Sequence, residues 1–454
     1  MCKQTTGQLH CLVNRAGRLL ALGFLAACLT ALAQPDLIVT ELVLPVGVSP
    51  TAPVGGTIKV HVTIKNQGNA TAPPCTVFFY LSRQSPVTAD DVEMLTTVNF
   101  SSLAPGASAS SITAYPDGAP ITVPTEMLPG DYYMAAIVNA LNAIAETDTS
   151  NNTLLLQSNS GLLSITGSDT HPFKVGSFRS GAWFLDYNGN VQWDGTGTGN
   201  DRAYSFGQPG DLPVLGDWNG SGTFKVGVFR SGAWFLDYNG TGLYSASDRS
   251  GAFGQAGDIP LVGKWDSSGR SKVVVFRNGA IYLDSNGNLQ WDPGIDLAGT
   301  FGMTGDTPVV GDWNGDGIDT IGVFRGGMWF LDNGNLAWDS GVDQQGAFGA
   351  HGDTPVVGAW GGSGLTRVGV FRSGQWYLDN GNLAWNPGVD LQGSFGASGD
   401  IPKVGDWDLS GGYNVGVFRS GQWFLDNGNL QWDSGLDQAG SFGIGTDTAI
   451  TGRW

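Results

Sequence analysis

The chain is expected to be all-β: an antiparallel sandwich followed by a ring of short four-stranded sheets. Three observations predict this. Only 14% of its 454 residues are charged while Gly reaches 71, a balance that favours turns over surface helices. No Glu follows Glu146, yet residues 171–454 hold 29 Asp. Glu favours helices, whereas Asp hydrogen-bonds its own backbone in turns. Finally, one pattern recurs six times through that same region.

Residues 1–33 read as an export signal, with Lys3, Arg15 and Arg18 ahead of the apolar run Leu19 to Ala33. Ala31-Leu32-Ala33 before Gln34 fits cleavage and release. Leu25-Ala26-Ala27-Cys28 resembles a bacterial lipobox, which would instead place a lipid anchor on Cys28. Release is the preferred reading, and the lipid is the one route to a membrane, because the run is short for a span. Removing the signal takes away Cys2, Cys11 and Cys28 and leaves Cys75 without a partner, so no disulfide framework is expected. The net charge of −18, with 16 Lys/Arg against the 29 Asp of the repeats, argues against nucleic acid and anionic lipid as partners.

Residues 35–160 alternate strand patterns with turn signals. The clearest strands are DLIVTELVLP, TIKVHVTIKNQG, TVFFYLS, DYYMAAIVNA and NNTLLLQ, a spacing that predicts a sandwich of about seven strands. In TIKVHVTIK, Ile58, Val60, Val62 and Ile64 alternate with polar residues, as for a sheet wet on one face. The segments PDL, IKNQG at 64–68, LAPG at 103–106, LPGDYYMAAIV at 128–138 and ETDTSNN at 146–152 resemble a CARDB domain. That resemblance implies an immunoglobulin-like spacer or binding module of the bacterial cell surface. The polar cluster Glu146, Asp148, Asn151 and Asn152 reads as a capped turn rather than a cation site.

Residues 171–454 are the repeat region. The Phe-Arg pairs at Arg179, Arg230, Arg277, Arg325, Arg372 and Arg419 are separated by 51, 47, 48, 47 and 47 residues. A Leu-Asp pair follows each, ending at Asp186, Asp237, Asp284, Asp332, Asp379 and Asp426. A Phe-Gly pair then closes each copy. In the fourth copy TPVVGDW, TIGVFR, MWFLD and NLAWD read as four strands, with Asn333-Gly334 as a hairpin turn. Four strands in about 47 residues match one propeller blade. The first copy lacks a GDW strand and the last ends with a spare one, TAITGRW at 448–454. The C-terminal strand is therefore expected to complete the first of six blades, so that a six-bladed β-propeller follows the immunoglobulin-like β-sandwich.

All 16 Trp lie in the repeats at three recurrent positions, exemplified by Trp313, Trp329 and Trp338, with Ile281 and Tyr244 as substitutes. Most are expected in the core between blades, while an exposed class could stack on sugar rings. The Arg and Asp that recur in every copy are expected to be structural, because a single active site would break the period.

One loop suggests definite chemistry. D-W-N-G-D-G-I-D-T at 312–320 offers Asp312, Asn314, Asp316, the Ile318 carbonyl and Thr320 at the positions that wrap a hard cation, with Asp319 alongside. It resembles the calcium loop of FG-GAP (integrin-α-like) repeats, which implies Ca²⁺. The family has Asp where this chain has Thr320, and its integrin members have seven longer blades. The sister loops carry Lys174, Lys225, Lys272, Arg367 and Asn414 at that position. A basic side chain there excludes a metal but can bring its own positive charge to the Asp217 and Asn219 oxygens. Asp406, Asp408, Ser410 and Asn414 form a weaker second candidate. A plain hydrogen-bonded turn is the alternative for both.

No catalytic constellation is legible. His10, His61, His171 and His351 stand apart, no nucleophile elbow occurs, and the repeats hold no Glu. The sequence is therefore expected to encode an exported, non-enzymatic binding or adhesion protein with a protein or carbohydrate ligand; a multivalent lectin is the alternative, and a glycosidase-type propeller hydrolase stands behind it.

Overall fold

A computed structural model describes residues 33–454 apart from 84, 90, 95, 114, 125–126, 167–170, 198 and 361–363. The export segment up to residue 32, and with it Cys28, lies outside the described residues. The described part is all-β, broken only by the single 3₁₀ turns Ser111–Thr113 and Asn159–Gly161. None of its helices is long and apolar enough to cross a membrane.

The first domain is a two-sheet, immunoglobulin-like sandwich. Leu37–Val43, Thr57–Asn66 and Ser108–Ser110 form one sheet, with Ala119–Thr122 also paired to Thr57–Asn66. Thr51–Pro53, Leu162–Thr166, Gly130–Val138 and Cys75–Ser82 run through the other. The strand Leu162–Thr166 carries the sandwich slightly past its expected end at 160. Ile58, Val60, Val62 and Ile64 are buried, so the expected alternation does place one face of their sheet in the core. The Glu146 cluster is a turn: Glu146 accepts from the Asn139 and Asn152 amides and the Leu37 N–H, and Asp148 accepts from Ser150. Cys75 is a buried free thiol whose pKa burial pushes up to about 11.

The repeats form six four-stranded antiparallel sheets. In the fourth copy the strands are Thr307–Gly311, Thr320–Arg325, Met328–Leu331 and Gln344–Ala347. Thr448–Gly452 pairs with Lys174–Arg179, from Lys174↔Gly452 to Phe178↔Thr448, as the spare strand predicted. The fourth strand lies elsewhere than expected. NLAWD is loop, and Asn333-Gly334 is not a two-residue hairpin but the start of a connection running to Asp343.

Two aspartates shape that connection in every copy. Asp332 accepts from Leu336 N at 3.2 Å, while Asp343 accepts from Asn333 N at 2.9 Å and Asp339 N at 2.5 Å. Leu336 is held at φ 59° and buries its side chain against the third sheet. A Cβ at Gly299, on the outer strand of that sheet, would sit 2.2 Å from the Leu336 carbonyl oxygen. Only glycine permits this approach.

Burial pushes Asp186, Asp237, Asp332 and Asp426 up to about 6, against the backbone N–H groups that lower them; Asp284 and Asp379 shift the same way. The facing carboxylate, such as Asp343 opposite Asp332, adds to the rise. A carboxyl with a raised native pKa takes up its proton more readily folded than unfolded, so folding is favoured as pH falls through about 6 toward 4 and loses that support as pH rises. Asp447, held low by Arg179 despite its burial, acts the other way, but only below about pH 4. The melting temperature is therefore expected to be higher near about pH 5 than near about pH 7.5. Calorimetry giving an equal or lower value at the acid end would contradict this.

Neighbouring sheets are tied by one recurrent backbone bond. Ser271 N donates to Asp217 O (2.8 Å), Asp319 N to Lys264 O (2.7 Å), Thr366 N to Asp312 O (2.8 Å) and Tyr413 N to Ala359 O (3.1 Å). The series continues from the last copy to the first through Phe173 N to Asp406 O (2.9 Å), and on through Phe224 N to Arg453 O (2.5 Å). Apolar clusters follow the same order: Trp407, Trp423 and Phe442 of the sixth copy pack with Val175 and Val191 of the first. The sandwich meets the repeats at the loops between first and second strands. Leu128 N donates to Ser221 O at 3.2 Å, and Arg270 pairs with the buried Asp91.

Candidate functional site

The three Trp positions have different fates. Trp183, Trp234, Trp329, Trp376 and Trp423 are fully buried, each donating its Nε1–H to the carbonyl of a Phe-Gly pair. The class of Trp218 and Trp313 is buried or half-buried under the sheet ends. The third class faces solvent: Trp193, Trp291, Trp338, Trp385 and Trp432 are 39–47% exposed, and Tyr244 in their place is 56% exposed. Sequence could not rank these classes, because all three share the same period.

Each exposed ring stands in a cleft between two sheets. Trp338 meets Phe330 of its own copy nearly edge-on (5.5 Å, 80°) and tilts against Phe301 of the preceding copy (6.0 Å). Trp385 does the same with Tyr377 (5.4 Å, 77°) and Phe348 (6.0 Å). The cleft at Trp338 encloses about 350 Å³, and that at Trp385 about 260 Å³ lined by Phe348, Gly349, Val370, Arg372 and Tyr377. Each therefore joins a wide aromatic wall to a small apolar floor.

The recurrent arginine completes the cleft. Arg325 lies over the Phe330 ring at 4.8 Å and Arg372 over Tyr377 at 5.1 Å. The aspartate partner is not the one in the Leu-Asp pair. Arg325 Nε and Nη2 hold Asp306 at 2.6 and 2.7 Å, and the same spacing of 19 residues recurs at Arg230–Asp211, Arg277–Asp258, Arg372–Asp353 and Arg419–Asp400. Arg179 takes Asp447 from the last copy. That constant spacing was the available signal and was missed. The bidentate pair uses Nε and Nη2, fixing the guanidinium plane while leaving Nη1 outside the pair. Such a cleft can stack a ring with an apolar face and offer a rigid donor to its edge.

The Asp loops are arranged differently from one another. In 312–320, Asp312 accepts from Gly315 N (2.6 Å) and Gly317 N (2.9 Å), and Asp316 from Ile318 N (2.8 Å) and the Asn314 amide (2.9 Å). Thr320 Oγ1 donates to Asp332 O at 3.0 Å, and Asp319 accepts from Lys264 N of the neighbouring sheet at 2.7 Å. The structure thus groups Asp312, Asn314, Asp316 and Ile318 but engages Thr320 and Asp319 elsewhere. In the second candidate loop Asp406 accepts from Gly411 N at 3.1 Å, Asp408 from Ser410 N at 3.0 Å, and Asn414 opens the following strand. Asp406 Oδ1 is buried, and the Asp406 carboxyl faces that of Asp408. In the second copy Lys225 Nζ sits among loop oxygens, 2.8 Å from Asn219 Oδ1 and 2.7 Å from Ser221 Oγ, the internal charge expected from sequence. These oxygens fit a hard cation's preference. Among the described residues no three His, Cys, Asp or Glu side chains converge as a metal cluster.

Compared with known proteins, residues 34–155 match the CARDB family model, which supports a CARDB domain there. No curated protein matches the chain. Among solved structures, a CARDB domain from Pyrococcus furiosus in complex with di-metal ions is 20% identical, covering 29% of this chain and 88% of its own, with a TM-score of 0.19. A domain of a Methanosarcina acetivorans protein assigned to the cell surface is 21% identical, covering 30% and 97%, with a TM-score of 0.20. An Agrocybe aegerita lectin described as recognising non-reducing terminal N-acetylglucosamine is 16% identical, covering 60% and 76%, with a TM-score of 0.41.

Proposed function

We propose that this CARDB-bearing chain is an exported, non-catalytic binding protein whose repeat sheets close into a six-bladed β-propeller with carbohydrate ligands in the clefts between blades. The carrying observation is the solvent-facing aromatic at one position of every copy, set beside an arginine locked by its aspartate. Five Trp and one Tyr kept at 39–56% exposure around six sheets suit repeated weak contacts with a ligand that itself repeats. Closure is supported by the unbroken order of inter-sheet hydrogen bonds and by the Thr448–Gly452 pairing. The sandwich serves as spacer, and the place of action is outside the cell or on its surface. FG-GAP-like (VCBS-type) character belongs to the same reading, on the strength of the Asp loops and Phe-Gly pairs.

A glycan array probed with residues 34–454 tests the ligand class. Binding is expected, and Trp338→Ala with Trp385→Ala is expected to lower avidity about tenfold or more with little change in melting temperature. An array without binding would sink the carbohydrate reading and favour a protein ligand on the same face. Calcium is proposed for the Asp loops. Its addition is expected to raise the melting temperature and EDTA to reverse this; a melting curve indifferent to EDTA would remove calcium from the account.

A further inference from the structure

The period of the repeats breaks at one loop. Lys264, Arg270 and Lys272 stand at positions one, seven and nine of the third copy's loop, where the fourth copy has Asp312, Ile318 and Thr320. In the second copy the outer strand opens on Arg249, whereas copies three to six open theirs on Leu297, Gln344, Leu391 and Gln438. A chain of net charge −18 thus gathers cations on two adjacent copies. Features that recur in every copy serve the ring as a whole. A departure confined to one place points to a local purpose.

Three of these cations reach a single cavity. It lies where the sandwich loop after Cys75–Ser82 meets the second and third repeat sheets, and it encloses about 270 Å³. That is near the lower end for a small-molecule site, about 300–1,000 Å³. Arg249, Arg270 and Lys272 line it, against one carboxylate, Asp266. Each cation is fixed in place. Arg249 lies over the Tyr238 ring at 4.4 Å, and its Nη1 donates to Gly287 O at 2.8 Å. Arg270 is held by the buried Asp91 of the sandwich, while Lys272 donates to Asp266 and to Ser285 O at 2.5 Å. Ser285 Oγ, in the same wall, is buried with no hydrogen-bond partner. The sandwich contributes the exposed Ser85.

Rigid cationic donors beside hydroxyl groups are the chemistry that receives an oxyanion. A buried hydroxyl without a partner needs an acceptor, which a carboxylate or phosphate oxygen supplies. Cations drawn together also repel one another, so an added negative charge relieves them. The Arg270–Asp91 pair accounts for holding the two domains together, but for neither the cavity nor the Ser285 hydroxyl. We infer that this cavity between sandwich and repeats binds a small oxyanion, a carboxylate or phosphate-type group on a molecule no larger than about one sugar. Arg249, Arg270 and Lys272 are its charged contacts, and Ser85 and Ser285 its hydroxyl donors. The site is separate from the aromatic clefts and stands whether or not those clefts hold carbohydrate.

Inorganic phosphate and galacturonate are the probes, titrated calorimetrically into residues 34–454 at low salt, with melting curves in parallel. Binding of phosphate alone identifies a phosphate-type group, binding of galacturonate alone a sugar carboxylate, and binding of both the shared oxyanion. Arg249→Met is expected to weaken whichever probe binds by about tenfold or more. Ser85→Glu, which brings a competing carboxylate into the cavity from the sandwich, is expected to abolish binding. Neither heat nor a rise in melting temperature with either probe at millimolar concentration overturns the inference. So does undiminished binding by both variants, which would place the anion elsewhere on the surface. Should Arg249→Met fail to fold, Ser85→Glu decides alone, because its position is exposed. An empty glycan array beside a bound phosphate would sink the cleft reading and leave this one in place.

Discussion

Removal of residues 448–454 is expected to abolish the cooperative unfolding of the repeat region rather than merely lower its midpoint. The segment supplies one edge strand of the first repeat sheet along five register pairs. Ala449 packs into the core shared with the sixth copy, while Ile450 and Trp454 pack into the core shared with the second. Trp454 also donates to Asp186 O at 3.1 Å, and Arg453 O receives Phe224 N. Losing one buried Trp and one Ile forfeits about 6–9 kcal/mol of apolar burial. That is comparable with the entire stability of an ordinary domain, about 5–15 kcal/mol. Denaturant unfolding of residues 34–447 should therefore show a broad, non-cooperative repeat transition beside an intact sandwich. A truncated chain that melts within about 3 °C of the full one would exclude the latch, since even 1 kcal/mol moves a domain of this size by about 2–4 °C.

Trp329→Ala is expected to cost about 3–5 kcal/mol. Its ring is fully buried, meets Phe324 at 4.9 Å, and donates to Phe348 O at 2.7 Å. Truncation opens a cavity and strands that carbonyl without its donor. Trp338→Ala, nine residues on in the same copy, is expected to cost no more than about 1 kcal/mol because its ring is already part exposed. Chemical denaturation of both variants makes the comparison. Equal penalties would mean that Trp338 is a core residue and would remove the aromatic cleft as a ligand site. Ile281 fills the Trp329 position in the third copy, buried and well packed, so Trp329→Ile should fall between the two.

What the sequence disclosed follows from what repeats and what alternates. Six copies, the spare C-terminal strand and the sandwich were all legible, because each depends on a period or on an alternation such as Ile58, Val60, Val62 and Ile64. The fourth strand was not. Gln344–Ala347 is mostly exposed and carries no apolar alternation, whereas NLAW mimics a strand by setting a buried Leu near an exposed Trp. The left-handed Leu336 that breaks the mimicry is held by its hydrogen bond to Asp332 and by the close approach of Gly299 on the preceding sheet, and that second contact is not local to the motif. The same holds for the cleft. Period alone cannot say which aromatic is wet, and the Arg–Asp partners were hidden because the nearer Asp in sequence was the wrong one. In the Asp loops, residue types identified the candidates, but only the placement of neighbours separated a carboxylate satisfied by loop N–H groups, Asp312, from one that faces a second carboxyl, Asp406.

The Arg179–Asp447 pair sets the order in which the molecule can be built. Its five siblings join residues 19 apart and can form as soon as one hairpin exists, whereas this pair joins residues 268 apart. Closing so long a loop requires neighbours already in place, so it belongs to the slow, non-local end of folding. Until then the strand Lys174–Arg179 keeps an open edge. The first sheet of the repeats thus stays unfinished until the sixth copy has been made and the strand Thr448–Gly452 can pair with it.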